Sequence, residues 1–249
     1  LAILLNLVYL LLDLIITSEG EEIIHCFCTG QSFYISSLAP TQNFGLTVPI
    51  NLVIFTIGEF NCGTIRNKII AGHRRSEVYF SLFLIGAIFT ISLMFFYMLF
   101  SVGVASIIGG FDIKGMTLMG DFRKEYLYQY PIMGFMTYIF ITSFAVMIAS
   151  SIRHTGGCLS IVIITMIILF ALAVGGDISE TILSFEGESE TTKLYWQAWV
   201  NPLYTFAMFS TDTPKIENNW FVASLVTPAY WSVVFNALGL WIFSKSDIK

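Results

Sequence analysis

The sequence contains few charged residues, and this shortage excludes an ordinary soluble domain. Asp, Glu, Lys and Arg make up 12% of its 249 residues, whereas 56% of the residues are hydrophobic. Soluble domains carry about 25% charged residues. We therefore expect most of the chain to lie in lipid. The net charge of −5 does not indicate a nucleic-acid partner, because the charges are unevenly distributed along the chain.

Several catalytic and nucleotide-binding motifs are missing. The phosphate-binding motif G-x-x-x-x-G-K-[ST] does not occur, and neither does the zinc motif HExxH. The segment AVGGD, Ala173 to Asp177, only approaches the intramembrane-enzyme motif G-x-G-D. We therefore expect no catalytic residue and no cofactor on this chain. Any ATP and Mg²⁺ that serve it must bind a partner protein.

The cysteines predict neither a disulfide framework nor a metal site. Cys26, Cys28, Cys62 and Cys158 lack the pattern of a small secreted scaffold. His25 joins the first two in HCFC, but three soft ligands in four residues are cramped and no fourth ligand is evident. We expect Cys62 and Cys158 to be small apolar fillers.

Long apolar runs predict an all-α membrane protein with six transmembrane helices in one domain, residues 1–249. A helical span needs about 20 mostly apolar residues. The predicted spans are Leu1 to Thr17, Phe44 to Phe60, Val78 to Ile108, Pro131 to Ile152, Cys158 to Val174 and Ala223 to Phe243. The third is long for one crossing and should be tilted or emerge from the bilayer. The chain opens inside an apolar run without Met, so we expect an N-terminal segment to be missing.

The charges predict which side each connection faces. One set of connections, together with the C-terminus, holds seven Lys or Arg and three Asp or Glu. The other set holds five basic and thirteen acidic residues. The basic residues of the first set lie in very short segments, where the positive-inside rule is most reliable. This predicts that the first set and both termini are cytoplasmic.

The last outer connection, Gly175 to Val222, carries an amphipathic pattern. In LYWQAWVNPLYTFAMF, Trp196, Trp199, Leu203 and Phe206 recur at helical spacing. Trp and Tyr favour the headgroup level of a membrane. We expect a helix, interrupted near Pro202, that lies on or dips into the outer leaflet.

A short basic stretch, GTIRNKIIAGHRRS, separates the second and third runs. Thr64 can cap a helix that Gly72 ends about two turns later. Ser76 can cap the next helix, with Glu77 in its first turn. A rigid basic element between two spans could bind a cytoplasmic partner; the alternative is an ordinary positive loop.

The two faces of this predicted helix differ in composition, and the difference favours a partner-binding element over an ordinary loop. Ile65 and Ile69 share one face, and cations surround it: Arg66, Lys68, Arg74 and Arg75. Glu59, at the end of the preceding span, could pair with Arg66 or Lys68 and fix the loop. Otherwise it is a solvated end residue.

The first run carries a polar stripe. Asn6, Tyr9, Asp13 and Thr17 recur at i, i+3, i+7 and i+11. Ionisable groups at membrane depth are functional candidates. The stripe could form a cavity wall at a subunit interface, with Asp13 attracting a cationic substrate. Alternatively, Asp13 snorkels to the outer interface.

The phrase FTIGEFNCGTIRNKIIAGHRRSEVYFS, Phe55 to Ser81, resembles the loop between spans two and three of type-2 ABC exporter permeases. The C-terminal FSKSDIK and the pair Asn201-Pro202 are also similar to that family. Within it, the chain is similar to bacterial permeases of peptide exporters, the phenol-soluble-modulin exporter group in particular. It departs from the family in lacking a basic interfacial helix before the first span.

The resemblance implies a homodimer or pseudo-dimer of six-span subunits in a bacterial cell membrane, with the homodimer as the expectation. Two cytoplasmic ABC ATPase subunits would dock under the loop, and amphipathic or antimicrobial peptides would be exported. The residues matched to this coupling loop are Glu59, Gly63, Thr64, Arg66, Asn67, Lys68, Gly72, Arg74 and Arg75. The alternative function is a non-transporting immunity or sensor protein that binds antimicrobial peptides.

Overall fold

The computed structural model describes residues 30–38, 44–111, 116–117, 120–121, 126–152, 154–183, 199–203 and 218–246. Almost all of these residues are helical. The helices are α1 (Gly30–Leu38), α2 (Phe44–Asn61), α3 (Thr64–Ile70), α4 (Arg75–Gly109), α5 (Tyr126–Ile152), α6 (Thr155–Leu183) and α7 (Asn218–Lys245). One departure from an all-α fold is a small antiparallel pair, β1 (Met116–Thr117) and β2 (Gly120–Asp121), in which Met116 faces Asp121.

The described helices agree with a multi-pass membrane protein. Four of them, α4 to α7, are long and apolar enough to cross a bilayer, and the number is five if α2 and α3, bent by 52°, form one span. The second to sixth predicted runs each overlap one helix, and every helix is longer than its run. The predicted first span, Leu1 to Thr17, lies outside the described residues.

The length of α4 confirms that the third run is unusual. Its 35 residues extend about 52 Å at 1.5 Å per residue. A bilayer has a hydrocarbon core about 30 Å thick. The helix is therefore too long to cross upright within the hydrocarbon, as its sequence predicted.

Helix α5 lies at the centre of the bundle. The most apolar part of α5 is 72% buried, compared with 22–28% for α4, α6 and α7. Gly134, Ser143, Ala145 and Ser150 are buried along it, and small residues let neighbouring helices approach closely. The outer helices expose large apolar side chains, such as Phe96 and Val233, as helices in contact with lipid do.

The helix α1 was not predicted, because it lies between the first two predicted spans. The amide of Gly30 donates to the carbonyl of Gly110 at the end of α4 (2.9 Å). The hydroxyl of Tyr34 donates to the carbonyl of Leu127 in α5 (2.6 Å). Leu38 is fully buried in the main core. The helix therefore packs inside the bundle, against α4 and α5.

Candidate functional site

The short helix α3 begins with a left-handed residue. Gly63 precedes it with φ of 71°, and its carbonyl accepts the amide of Asn67 (2.9 Å). Thr64 is thus the first residue of the helix and not its cap, so that prediction is wrong. Positive φ suits glycine, which lacks Cβ. The chain turns sharply here, and α3 departs from the direction of α2 by 52°.

The other end of α3 is a Schellman motif. The amide of Gly72 donates to the carbonyl of Ile69 (3.0 Å), and the amide of His73 donates to that of Lys68 (3.2 Å). Gly72 has φ of 94°, which this motif requires of the residue after the cap. The prediction that Gly72 ends the helix is confirmed. Both ends of α3 are therefore fixed by hydrogen-bonded glycine turns.

The inner face of α3 is anchored to four other helices. Ile65 is 1% exposed, and it belongs to a cluster with Ile69 beside it. This basal cluster also contains Phe60 of α2, three residues of α4, Val146 of α5, and Leu240 and Phe243 of α7; the α4 residues are Val78, Tyr79 and Leu82. The predicted shared face of Ile65 and Ile69 is thus confirmed.

The outer face of α3 is open. Ile70 is 73% exposed, and Arg66 and Asn67 are also exposed. Lys68 is half-buried, and Arg74 beyond the helix is exposed. Ile70 is thus an exposed apolar side chain on a helix with fixed ends, in a segment that also exposes Arg66 and Arg74. We call this end of the bundle the basic end.

Glu59 is half-buried near the end of α2. Among the described residues it forms no ion pair with Arg66 or Lys68; the carboxylate contact found there is between Nδ1 of His73 and Oε2 of Glu77 (3.9 Å). Our expectation that Glu59 fixes the loop by such a pair is therefore wrong. On a continuous helix Glu59 and Arg66 would stack two turns apart, but the turn at Gly63 breaks that register.

The start of α4 also differs from the prediction. Its cap residue is Arg74, not Ser76. The amide of Arg74 donates to Oε2 of Glu77 (3.2 Å). Glu77 does lie in the first turn, as predicted, where a carboxylate is favoured by the helix dipole.

Arg75 makes the longest-range contacts of this region. Its Nη1 donates to the carbonyl oxygens of Ser244 (2.8 Å) and Ser246 (2.9 Å), at the end of α7. Sequence reasoning grouped Arg75 with the cations of the loop. Its partners are backbone atoms 169 and 171 residues away, so no local pattern could identify them.

Buried hydroxyl groups inside the bundle are largely used within their own helices. Thr90, Thr137 and Thr142 each donate to the carbonyl four residues earlier (2.8–3.0 Å). Between helices, Asn236 of α7 donates to Oγ of Ser143 in α5 (2.9 Å). The bond of Asn236 to Ser143 therefore ties α7 to α5, whereas the threonine hydroxyls serve their own helices. The predicted cavity stripe, Asn6, Tyr9, Asp13 and Thr17, lies outside the described residues.

A second non-helical turn, at Asn201 to Leu203, is buried far from either end of α6 and α7. Nδ2 of Asn201 donates to the carbonyl of Leu169 (2.9 Å), and its Oδ1 accepts the amide of Leu203 (3.0 Å). The indole of Trp231 donates to the carbonyl of Val200 (2.9 Å). Leu169 lies about 21 Å along α6 from its start. The predicted interruption near Pro202 is confirmed at this turn; the rest of that segment lies outside the described residues.

The remaining cysteines and histidines were predicted with mixed success. Cys158 is buried, as expected, but Cys62 is exposed, so its assignment as an apolar filler is wrong. His73 and His154 are exposed. In the part of the chain that the structure describes, no three His, Cys, Asp or Glu side chains are grouped to hold a metal. The HCFC segment lies outside it.

No family model matches the sequence, and neither the curated proteins nor the solved structures contain a significant match.

Proposed function

We propose that this chain is the membrane permease subunit of an ATP-driven ABC exporter that moves amphipathic or antimicrobial peptides out of a bacterial cell. The observation that carries the proposal is the construction of α3. Its ends are held by Gly63 and Gly72, and Ile65 anchors it under four helices. Such a helix can transmit a displacement to the spans instead of absorbing it.

The outer face of α3 supports a protein partner. Ile70, 73% exposed, offers an apolar contact to such a partner. Next to exposed Arg66 and Arg74, it suits an apolar groove with an acidic rim, since complementary charge steers docking. We assign that groove to a cytoplasmic ABC ATPase, which would hold ATP and Mg²⁺.

The complete assembly follows from the resemblance of Phe55 to Ser81. Each subunit has six spans: Leu1 to Thr17, the span formed by α2 and α3, and the four helices α4 to α7. The assembly has both termini in the cytoplasm, two copies of the permease and two ATPase subunits. The stripe of Asn6, Tyr9, Asp13 and Thr17 would line a peptide path between the copies.

Charge reversal tests the docking face. In Arg66→Glu with Lys68→Glu, attraction becomes repulsion, and like-charge contacts cost several kcal/mol. We expect ATPase copurification to fall roughly tenfold or more, because each 1.4 kcal/mol is a factor of ten. A matched control is Arg123→Glu with Lys124→Glu, in a connection assigned to the opposite side, which should copurify the ATPase normally.

The readout separates the competing functions. The tagged permease is purified from its native membrane, reconstituted, and assayed for ATP hydrolysis with a synthetic cationic amphipathic peptide. Stimulated hydrolysis supports export. Peptide binding without any associated ATPase supports the immunity or sensor alternative. Equal copurification by the charge-reversed variant and its control would disprove docking at α3.

A further inference from the structure

The contact between Arg75 and the end of α7 closes the basic end of the bundle. The last carbonyl groups of a helix have no amide partner in their own helix. Arg75 donates to one of them, that of Ser244, and to the carbonyl of Ser246, the residue that follows α7. A cation is also favoured by the dipole at a helix C-terminus, and a guanidinium remains charged throughout the physiological pH range. Arg75 is therefore a C-terminal cap provided by a different helix.

The basal cluster surrounds this cap with apolar contacts. Phe243, one residue before Ser244, is fully buried. Its ring centroid lies 6.1 Å from that of Phe60 in α2 and 5.9 Å from that of Tyr79 in α4. Tyr79 in turn lies so close to Gly239 that a methyl group there would not fit. The last turns of α7 are thus enclosed by the elements that anchor α3.

Earlier turns of α7 contact the middle of the bundle. Asn236 joins it to Ser143 of α5, and Trp231 joins it to Val200 of the buried turn. A displacement of the last turns of α7 would consequently reach both the central helix and that turn.

We propose that Arg75, the first residue of α4, is a positioning residue that acts with the basal cluster to hold α3, the start of α4 and the C-terminal turn of α7 as one mechanical unit. A partner that presses on α3 then moves α7 as well as α2, to which α3 is joined in sequence. The mechanical link stands on the geometry alone, whereas its use in transport rests on the proposed function.

A distance measurement tests the link without any partner. Spin labels are placed at Asn67 on α3 and Ser244 on α7, both exposed, in the full chain in nanodiscs. Cys26, Cys28, Cys62 and Cys158 are first replaced by serine or alanine. Double electron–electron resonance should give a narrow distribution of distances between the two labels when Arg75 is present. Arg75→Gln should widen it about twofold or more.

Two further variants keep this test decisive. Arg66→Gln removes the same charge from an exposed position and should leave the distribution narrow. Arg75→Lys keeps the charge and a donor, and it should give an intermediate width; it also serves if Arg75→Gln does not fold. An unchanged distribution in the Arg75 variants would overturn the proposal.

A functional measurement distinguishes positioning from docking. With the copurified ATPase, Arg75→Gln should retain the ATPase but lose most of the stimulation by the cationic amphipathic peptide. If Arg75→Gln loses the ATPase as completely as Arg66→Glu with Lys68→Glu, Arg75 is a docking residue and the proposal is overturned. If no ATPase copurifies with the unaltered chain, the proposed function fails, and the distance measurement still decides the link.

Discussion

The turn at Gly63 separates α2 from α3, and the turn at Asn201 follows the helical residues 199 and 200, but the surroundings of the two turns differ. Gly63 and Gly72 border α3 at the basic end, where the neighbouring residues are exposed. Asn201 lies buried against α6 and α7. At the basic end, water can form hydrogen bonds with the backbone groups that α3 leaves unpaired. At Asn201 the polar backbone needs protein partners, because an unpaired buried group is costly.

The two turns consequently use different residues. Glycine is sufficient at the basic end, since its function is to adopt positive φ. In the interior the amide side chain of Asn201 satisfies both a donor and an acceptor, and at the exposed side of the turn an indole donates to a third group. The comparison predicts that interior substitutions will destabilise the protein more than substitutions in the glycine turns.

The largest effect is expected from Asn201→Ala. This change leaves the buried amide of Leu203 without its acceptor and removes the bond to Leu169. We expect the free energy of unfolding to fall by about 3 kcal/mol, measured by SDS titration in mixed micelles. The control is Asn51→Ala, at an exposed residue that bonds Thr47 in its own helix. Equal effects for the two variants would contradict the interior role of Asn201.

An intermediate effect is expected from Trp231→Phe. Phenylalanine retains an aromatic ring near Phe235, whose centroid is 5.4 Å from that of Trp231, but it loses the bond to Val200. The unfolding free energy should fall by about 1.5 kcal/mol in the same titration. Trp241→Phe, at an exposed position, should change it much less. A loss at Trp231 no greater than at Trp241 would show that the bond is dispensable.

The smallest effect is expected from Gly72→Ala. An alanine at φ of 94° is strained by about 1 kcal/mol, but nothing lies near the added methyl group. Gly72→Asn should cost less, because asparagine tolerates positive φ. Gly58→Ala, in open space inside α2, should be neutral or stabilising. Thermal unfolding in detergent ranks the three variants. If Gly72→Ala unfolds at the same temperature as the unaltered protein, glycine is not required at this turn.

Much of the fold could be predicted because it depends on local composition. Runs of apolar residues in α2 and α4 to α7 form helices wherever water is excluded. The end of α3 at Gly72 follows from a requirement for positive φ that glycine satisfies. The interruption beside Pro202 likewise follows from a residue that lacks an amide hydrogen.

The exact caps were harder to predict because several residues compete for each position. Thr64 and Ser76 are good capping residues, yet Gly63 and Arg74 occupy the positions. The left-handed turn at Gly63 starts α3 one residue earlier than a Thr64 cap would. The amide of Arg74 already has Glu77 as its acceptor, and α4 therefore begins before Ser76.

The sequence by itself determined the long helices α2 and α4 to α7, their apolar character and the basic segment, since each depends on neighbouring residues. Only the tertiary structure decided that α1 is buried, that Arg75 caps α7 and that Glu59 is not paired with the loop. Tyr34 meets Leu127 across 93 residues, and Arg75 meets Ser244 across 169. Such contacts depend on which helices become neighbours. That choice is made by packing over the whole bundle, which no local stretch of sequence contains.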